Sequence, residues 1–278
     1  MIMDSHCHAW SFWPYQPPVP DSATRGSFEL LQHEMDANGV DRALIVCAEI
    51  EGNPDNNQYI HDKVAANRQR FAFVIDVDSL WKDSYHQPGA AERLEAGLSK
   101  WKPAGFTHYI NDPADDARWL NSADGIAMFE VANAQGALAS IHCRPQHMSE
   151  IRALAGRFPQ LRILLHHMGH PKVLEPEGLS EILATARHDN VFVKVSGFYN
   201  TTTAPPWDYP LHDVQPVVHA LYQRFGASRL LWGSDYPVCC QFYSHRQAIE
   251  ILRHHCRSIQ AADMDAILGE NLAGLVGG

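Results

Sequence analysis

The sequence predicts an eight-stranded (β/α)8 barrel of the α/β class, and two observations lead to this prediction. The 278 residues contain eight short apolar runs rich in β-branched side chains, and amphipathic helical patterns separate these runs. Each run is apolar almost throughout, which is typical of parallel strands that are buried on both faces. The spacing of the runs matches the length of a βα unit. Eight such units predict one barrel domain that spans residues 1–278.

The strands are predicted in chain order, and two long loops follow the first and the seventh of them. Residues 13–20 and 199–209 form these loops, and both contain prolines. Because they connect a strand to the next helix, we expect them on the rim where barrel enzymes bind substrate. The predicted strands are residues 2–5, 43–48, 71–77, 105–110, 137–142, 162–166, 191–196 and 229–233.

Capping residues and glycines give the helix boundaries between these strands. Ser27 is expected to begin the first helix and Gly39 to end it. Ser149 is expected to begin the helix after the fifth strand. Asp213 and Gly226 are expected to bound the helix after the seventh strand.

Charge, hydropathy and cysteine content narrow the class of partner. The chain has 22 Lys and Arg against 32 Asp and Glu, a formal net charge of −10, which argues against nucleic acid or an anionic membrane surface as its main partner. No apolar run is long enough to span a bilayer, and the first residues lack the features of a secretory signal. We therefore expect a cytoplasmic protein with six reduced cysteines that acts on a small-molecule substrate. The sequence leaves open whether it forms a homo-oligomer.

Histidine is unusually frequent, with 17 residues, and two histidines lie at the end of the first strand. His6 and His8 are two positions apart, so on an extended strand both side chains point into the barrel. Two neutral imidazoles there are able to chelate one cation. Such a pair also occurs as partly exposed histidines at a strand end, so it indicates a metal site only together with further ligands. Cys7, between them, is expected to point outward and pack against the helices.

Further polar side chains follow three other strands. His142 ends the fifth strand, His166 and His167 end the sixth, and Asp235 follows the eighth. Because the carboxyl ends of barrel strands meet at one rim, we expect these groups to converge. The predicted metal ligands are His6, His8, His142 and Asp235, and the predicted catalytic residues are Asp235 and His167.

Asp235 either caps the helix that follows it or acts as a general base. Beside a histidine cluster we favour the base, which takes a proton from an attacking water and returns it to the leaving group. In contrast, the histidines after the last strand, at 245, 254 and 255, are expected to be solvated.

Substrate contacts are predicted from residues near the same strand ends. Lys194 shares a strand face with Ser196, although Lys194 equally fits a structural ion pair with a neighbouring acid. The predicted substrate-binding residues are His108, Tyr109, Arg144 and Lys194.

Several of these segments, in the same order along the chain, resemble the amidohydrolase superfamily. Residues 4–10 (DSHCHAW) resemble the first-strand D-x-H-x-H-[VL]-W motif of its sugar-lactone and 2-pyrone-4,6-dicarboxylate lactonases. Residues 105–108 (GFTH) resemble G-[IV]-R-H, with Thr107 where the group commonly has arginine. Residues 167–171 (HMGHP), 193–197 (VKVSG) and 233–237 (GSDYP) resemble H-L-G-K-P, V-K-[LV]-S-G and G-S-D-W-P.

The resemblance implies a barrel hydrolase with His6, His8, His167 and Asp235 at its centre. It implies that Asp235 activates water, while the histidines hold a divalent metal or polarise the carbonyl without a metal. The mixed set of histidine and aspartate ligands favours zinc, although it would accept manganese or other ions. We therefore predict an enzyme that hydrolyses a small polar lactone. The alternative is a metal-dependent decarboxylase or hydratase of an aromatic-derived acid, because a histidine at position 142 is typical of the decarboxylase branch. A catalytically inactive barrel that serves as a binding protein is the third hypothesis.

Overall fold

Eight parallel strands pair in chain order in the computed structural model, which describes residues 1–16, 18–110 and 114–277. Each of the eight predicted strands overlaps an observed one, and the predicted barrel fold is confirmed. The strands are β1 Met3–Cys7, β2 Arg42–Val46, β3 Phe71–Asp76, β4 Gly105–Tyr109, β5 Leu138–His142, β6 Ile163–Leu165, β7 Val191–Val195 and β8 Leu230–Trp232.

Helices connect the strands and continue after the last of them. The α-helices are α1 Phe28–Asn38, α2 Asn56–Val64, α3 Ala90–Trp101, α4 Ala123–Ala134, α5 Met148–Arg157, α6 Pro176–Ala184, α7 Gln215–Phe225, α8 His245–Glu250, α9 Ala261–Asp265 and α10 Asn271–Val276. Among the described residues, no helix combines the length and the apolar character needed to cross a bilayer.

The barrel closes where β1 meets the turn that follows β8. The backbone N–H of Asp235 donates to the carbonyl of His6 at 2.7 Å, and the N–H of His8 donates to the carbonyl of Tyr236 at 2.7 Å. Cys7 and Tyr236 form a parallel bridge at the same place. These bonds fix the end of β1 directly against residues 235 and 236.

Two apolar layers, one on each face of the strands, explain why the strand sequences are apolar almost throughout. On β2, Leu44 and Val46 belong to the smaller buried cluster, which fills the barrel, whereas Ala43 and Ile45 belong to the larger cluster between barrel and helices. Both faces of the strand are thus buried, so neither face selects polar residues. Cys7 belongs to the outer cluster, as predicted from its position between His6 and His8 on the strand.

Three helix boundaries are predicted correctly. Ser27 caps α1 by accepting the N–H of Leu30, and Gly39 ends that helix with φ 70°. Gly226 ends α7 with φ 74°.

Two predicted helix starts are wrong. A 3-10 turn precedes the helix in one case, and the predicted capping side chain bonds elsewhere in the other. The helix after β5 begins at Met148, directly after a 3-10 turn over Pro145–His147, so Ser149 lies inside it. Asp213 does not cap α7, because its carboxylate accepts the hydroxyl of Thr202 at 2.7 Å and the N–H of Thr203 at 2.8 Å.

Candidate active site

Three ligand atoms converge at the carboxyl end of β1. Nε2 of His6 and Nε2 of His8 are 3.2 Å apart, and Oδ1 of Asp235 lies 3.6 Å and 3.5 Å from them. All three residues are buried, with at most 3% of each exposed. The structure therefore brings Asp235 beside His6 and His8, which precede it by more than two hundred positions in the sequence, as the strand-end prediction required.

The environment of His6 and His8 leaves their Nε2 atoms suited to a cation. Nδ1 of His8 lies 2.8 Å from the carbonyl of Val46, and because a carbonyl only accepts, Nδ1 donates its proton there, which turns Nε2 toward His6 and Asp235. Burial, with the neighbouring His166 and Lys194, holds the pKa of His6 well below its ordinary value, so its ring is neutral at pH 7. Two imidazole nitrogens and one carboxylate are a donor set that fits a divalent metal such as zinc.

Asp235 is charged although it is buried. Burial alone would raise the pKa of its carboxyl, but His167, His8 and Tyr199 outweigh burial and hold this pKa below its ordinary value. The Tyr199 hydroxyl donates to Oδ2 at 2.6 Å. The backbone of Asp235 has φ 60°, an unfavourable conformation for a residue other than glycine, so its surroundings must impose it.

Asp4 supplies part of that constraint. One oxygen of its buried carboxylate accepts the N–H of His6 at 2.9 Å and the N–H of Ser234 at 3.0 Å, and the other accepts the Ser234 hydroxyl. Asp4 therefore joins the strand that carries His6 and His8 to the turn that carries Asp235. His245 lies 3.8 Å from the same carboxylate and is 1% exposed, so the expectation that this histidine is solvated is wrong.

His167 lies in the tight turn His166–Gly169, directly after β6, and its own backbone is left-handed, with φ 47°. Its Nδ1 is 3.1 Å from the Ser196 hydroxyl and 3.9 Å from Oδ2 of Asp235. Burial lowers the pKa of His167 to about 4, so the ring is neutral at pH 7. Gly197 makes room for it, because a Cβ at that position would lie 2.5 Å from the His167 ring.

A cavity of about 380 Å³ opens above these residues. Tyr109 and Arg144, two of the predicted substrate-binding residues, lie in its wall. Residues from the loops complete the wall, and sequence reasoning did not single these out. The most prominent of them are Tyr15, Trp81, His170, Lys172 and Tyr199.

The structure places the other two predicted substrate contacts elsewhere, and we correct both. His108 is fully buried on the outer side of β4, where Nδ1 lies 3.1 Å from the carbonyl of Val77 and the ring stacks on Trp119. Lys194 is fully buried beneath the histidines: its Nζ donates to Ser140 at 2.7 Å and lies 3.4 Å from Nδ1 of His6. Burial lowers the pKa of Lys194 to about 7.

His142 lies in the cavity wall, but in a different cluster from the one predicted. Its ligand atoms group with those of His167 and His170, whereas His6 and His8 group with Asp235. His170 had appeared only as one letter of a motif, because it follows the strand end by five residues and no strand periodicity reaches that far. Among the described residues the possible ligand atoms thus form three overlapping groups instead of the single metal set predicted, and the third group is His6, His166 and His167.

Comparisons with known proteins agree with this architecture. The sequence model of the amidohydrolase family matches residues 3–277. An L-fucono-1,5-lactonase of Burkholderia ambifaria is 29% identical over 246 residues, which cover 85% of this chain and 80% of that protein. Among solved structures, a zinc-bound amidohydrolase of Burkholderia multivorans has a TM-score of 0.82 at 21% identity and covers 100% of this chain and 99% of its own. 5-Carboxyvanillate decarboxylase of Sphingomonas paucimobilis has a TM-score of 0.68 at 17% identity, covering 99% of this chain and 98% of its own.

We expect Asp4→Ala to lower the free energy of unfolding by about 3 kcal/mol or more, because the buried donors of His6 and Ser234 lose their acceptor. Asp4→Asn keeps one acceptor oxygen and should cost less. Denaturant titration of the three proteins measures both effects. Asp41→Ala is the control: Asp41 also accepts a backbone N–H, from Ile2 at 2.8 Å, but at an exposed position, so a change within about 1 kcal/mol is expected. Equal losses for Asp4→Ala and Asp41→Ala would contradict the role given to Asp4.

Proposed function

The chain belongs to the amidohydrolase family and is a hydrolase, and from that premise we propose that it opens a small polar lactone with Asp235 as the base. One observation carries the proposal: a charged, buried carboxylate and two histidine nitrogens converge within 3.6 Å, and two of the three residues, His8 and Asp235, line a cavity large enough for a single-ring substrate. The likeness to an L-fucono-1,5-lactonase supports a cyclic ester as the substrate class.

Asp235 moves the proton in this proposal. Its carboxylate takes a proton from water as the water oxygen bonds to the lactone carbonyl carbon. The bond between that carbon and the ring oxygen then breaks, and Asp235 returns the proton to the ring oxygen. The product is an open-chain hydroxy acid, which ionises at pH 7 and releases one proton for each turnover.

Two neighbours hold Asp235 ready for this role. The Tyr199 hydroxyl, 2.6 Å from Oδ2, favours the charged carboxylate and keeps it oriented. His167 is neutral and contacts Ser196 through Nδ1, which leaves Nε2 as its second hydrogen-bonding atom for the substrate carbonyl oxygen.

His6, His8 and Asp235 are the residues that would hold a divalent metal, for which we propose zinc. A metal bound there would supply a Lewis acid that stabilises the negative charge developing on the carbonyl oxygen. The hydrogen bond from His8 Nδ1 to the carbonyl of Val46 supports this assignment, because it directs Nε2 toward Asp235. We no longer include His142 in the metal set, since its ligand atoms group with those of His167 and His170.

We expect Asp235→Asn to lower kcat/KM for lactones by about a hundredfold or more, because the amide cannot accept the proton from water. A pH-indicator assay over a panel of sugar lactones measures the loss. Asp189→Asn removes a fully exposed carboxylate and should leave the rate unchanged. If the wild-type protein opens no lactone but releases CO₂ from an aromatic acid, the decarboxylase alternative replaces this proposal. If Asp235→Asn leaves every activity and binding property unchanged, the inactive-barrel hypothesis replaces it.

Metal content provides a second test. We expect about one equivalent of divalent metal in protein purified without chelators, and a large loss of metal in His8→Ala, measured by elemental analysis. His219→Ala is the control, because His219 is exposed on α7 and does not line the cavity. Full lactone turnover after complete metal removal would instead assign polarisation of the carbonyl to the imidazoles alone.

The pH profile tests the hydrogen bond from Tyr199. Because that bond favours the charged form of Asp235, Tyr199→Phe should raise the pKa of this carboxyl. The base works only when deprotonated, so the acidic limb of the kcat/KM profile should move to higher pH in the variant. Tyr222→Phe, which removes a tyrosine–carboxylate bond to Asp263 outside the cavity, should leave the limb in place. An unmoved limb in Tyr199→Phe would contradict the role of Asp235 as the titrating base.

A further inference from the structure

Two neighbouring cysteines lie on the turn that follows Asp235, and the proposed reaction does not use them. Cys239 and Cys240 belong to the 3-10 turn Val238–Gln241, and their sulfur atoms are 3.9 Å apart, within hydrogen-bond distance for two thiols. All six cysteines lie in the described part of the chain, and of these Cys240 alone is partly exposed while the other five are buried. Cys240 is therefore the cysteine that a small oxidant reaches most easily.

The two thiols of this pair differ in how readily they ionise. The hydrogen bond from Cys239, with a further one from the backbone N–H of His245, outweighs burial and the nearby Glu34 and holds the pKa of Cys240 below its ordinary value. Burial raises the pKa of the Cys239 thiol. Burial also raises the pKa of the four remaining cysteines, Cys7, Cys47, Cys143 and Cys256. Because the thiolate is the reactive form of cysteine, Cys240 is expected to react first.

Two sets of contacts join this turn to the proposed base. The backbone N–H of Cys239 donates to the carbonyl of Asp235 at 2.9 Å. The carbonyl of Cys239 accepts the N–H of Phe242 at 2.8 Å, and the Phe242 ring stacks on Tyr199 with ring centroids 4.2 Å apart. Tyr199 in turn donates to Oδ2 of Asp235. A change in the backbone of the turn therefore acts on both the main chain and the carboxylate of Asp235.

A disulfide between Cys239 and Cys240 requires the turn to change its shape. The two sulfur atoms have to approach from 3.9 Å to about 2 Å. The α-carbons of adjacent residues are about 3.8 Å apart, or about 2.9 Å across a cis peptide bond, whereas disulfides usually join α-carbons about 4.4–6.8 Å apart. Such a bond is therefore strained, and strained disulfides are easily reduced, which is typical of a reversible modification and not of a structural crosslink.

We propose that Cys239 and Cys240 form a modification site at which hydrogen peroxide reversibly inactivates the protein. The sulfur of Cys240 attacks one peroxide oxygen, the O–O bond breaks, and hydroxide leaves as Cys240 becomes a sulfenic acid. The sulfur of Cys239 then attacks the sulfenic sulfur, so that an S–S bond forms, the S–O bond breaks, and the hydroxyl leaves with the Cys239 proton as water. The two cysteines lose two electrons to the peroxide. The disulfide distorts the turn and displaces Asp235 until a thiol reductant restores both thiols.

The test treats the wild type, Cys239→Ser, Cys240→Ser and Cys256→Ser with hydrogen peroxide and counts thiols after denaturation. We expect the wild type to lose two of its six thiols and to regain both with a thiol reductant. Cys239→Ser should form a sulfenic acid at Cys240, which dimedone traps, and Cys240→Ser should keep all its remaining thiols. Cys256→Ser is the control, because it removes a buried cysteine outside the turn and should lose two thiols as the wild type does.

Lactone hydrolysis by the same samples tests the effect on Asp235, and this measurement rests on the proposed function. We expect kcat of the oxidised wild type to be about tenfold or more below that of the reduced protein, because a displacement of about 1 Å at a catalytic group has an effect of this order or larger. A thiol reductant should restore the activity. In Cys240→Ser, kcat should be the same before and after peroxide.

The modification site and the lactonase activity fail by different results. If the thiols of the wild type survive peroxide, or if Cys240→Ser loses as many as the wild type, the site is overturned and the lactonase stands. If the pair is oxidised with no loss of activity, the effect on Asp235 is overturned. If no lactone is opened even by reduced protein, the proposed function fails. The thiol count then still decides the site, and an unchanged near-UV circular dichroism spectrum on oxidation, which reports on the stack of Tyr199 and Phe242, overturns the effect on Asp235.

Discussion

The seam between β1 and the turn after β8 is the contact on which the active site depends. The strand carries His6 and His8, the turn carries Asp235, and backbone hydrogen bonds of 2.7 Å join them directly. Gly233 allows this approach, because a Cβ there would lie 2.9 Å from Cβ of His6. The same bonds that close the barrel therefore set the distance between base and imidazoles, and the strained backbone of Asp235 persists because closure imposes it.

Burial then determines which groups carry charge at neutral pH. His6 and His167 lose their protons because an isolated imidazolium is costly to bury, whereas Asp235 keeps its charge because its neighbours outweigh the same cost. The result is one negative charge among neutral nitrogen donors. A base that is charged at rest and close to hydrogen-bond donors can accept a proton without reorganising its surroundings, which is the property that catalysis of hydrolysis requires.

The fold and the strand-end residues could be predicted from the sequence for one physical reason. Parallel strands that are buried on both faces are apolar almost throughout, and side chains two positions apart on a strand point to the same face. His6, His8 and Asp235 were found in this way. The same reasoning was wrong for His108, which lies on the outer face of its strand, and for Lys194, which lies too deep in the barrel to reach the cavity. The sequence placed the loop that begins at Tyr199 on the substrate-binding rim, but loop residues such as His170 and Tyr199 have no periodicity to reveal where their side chains point, so only the structure shows that these side chains line the cavity.

The cavity therefore has two parts that are built from different elements of the fold. The reacting end is built on β1 and on the turn that closes the barrel, so changes there disturb the fold as well as the chemistry. The opposite end is built mainly from loop residues such as Arg144, His170 and Lys172, together with one strand-end histidine. Loops tolerate substitution better than barrel strands, because fewer buried contacts depend on them. Substrate choice is therefore able to change at the loop end while Asp235 and its partners stay fixed, and a shared reacting end does not by itself imply a shared substrate.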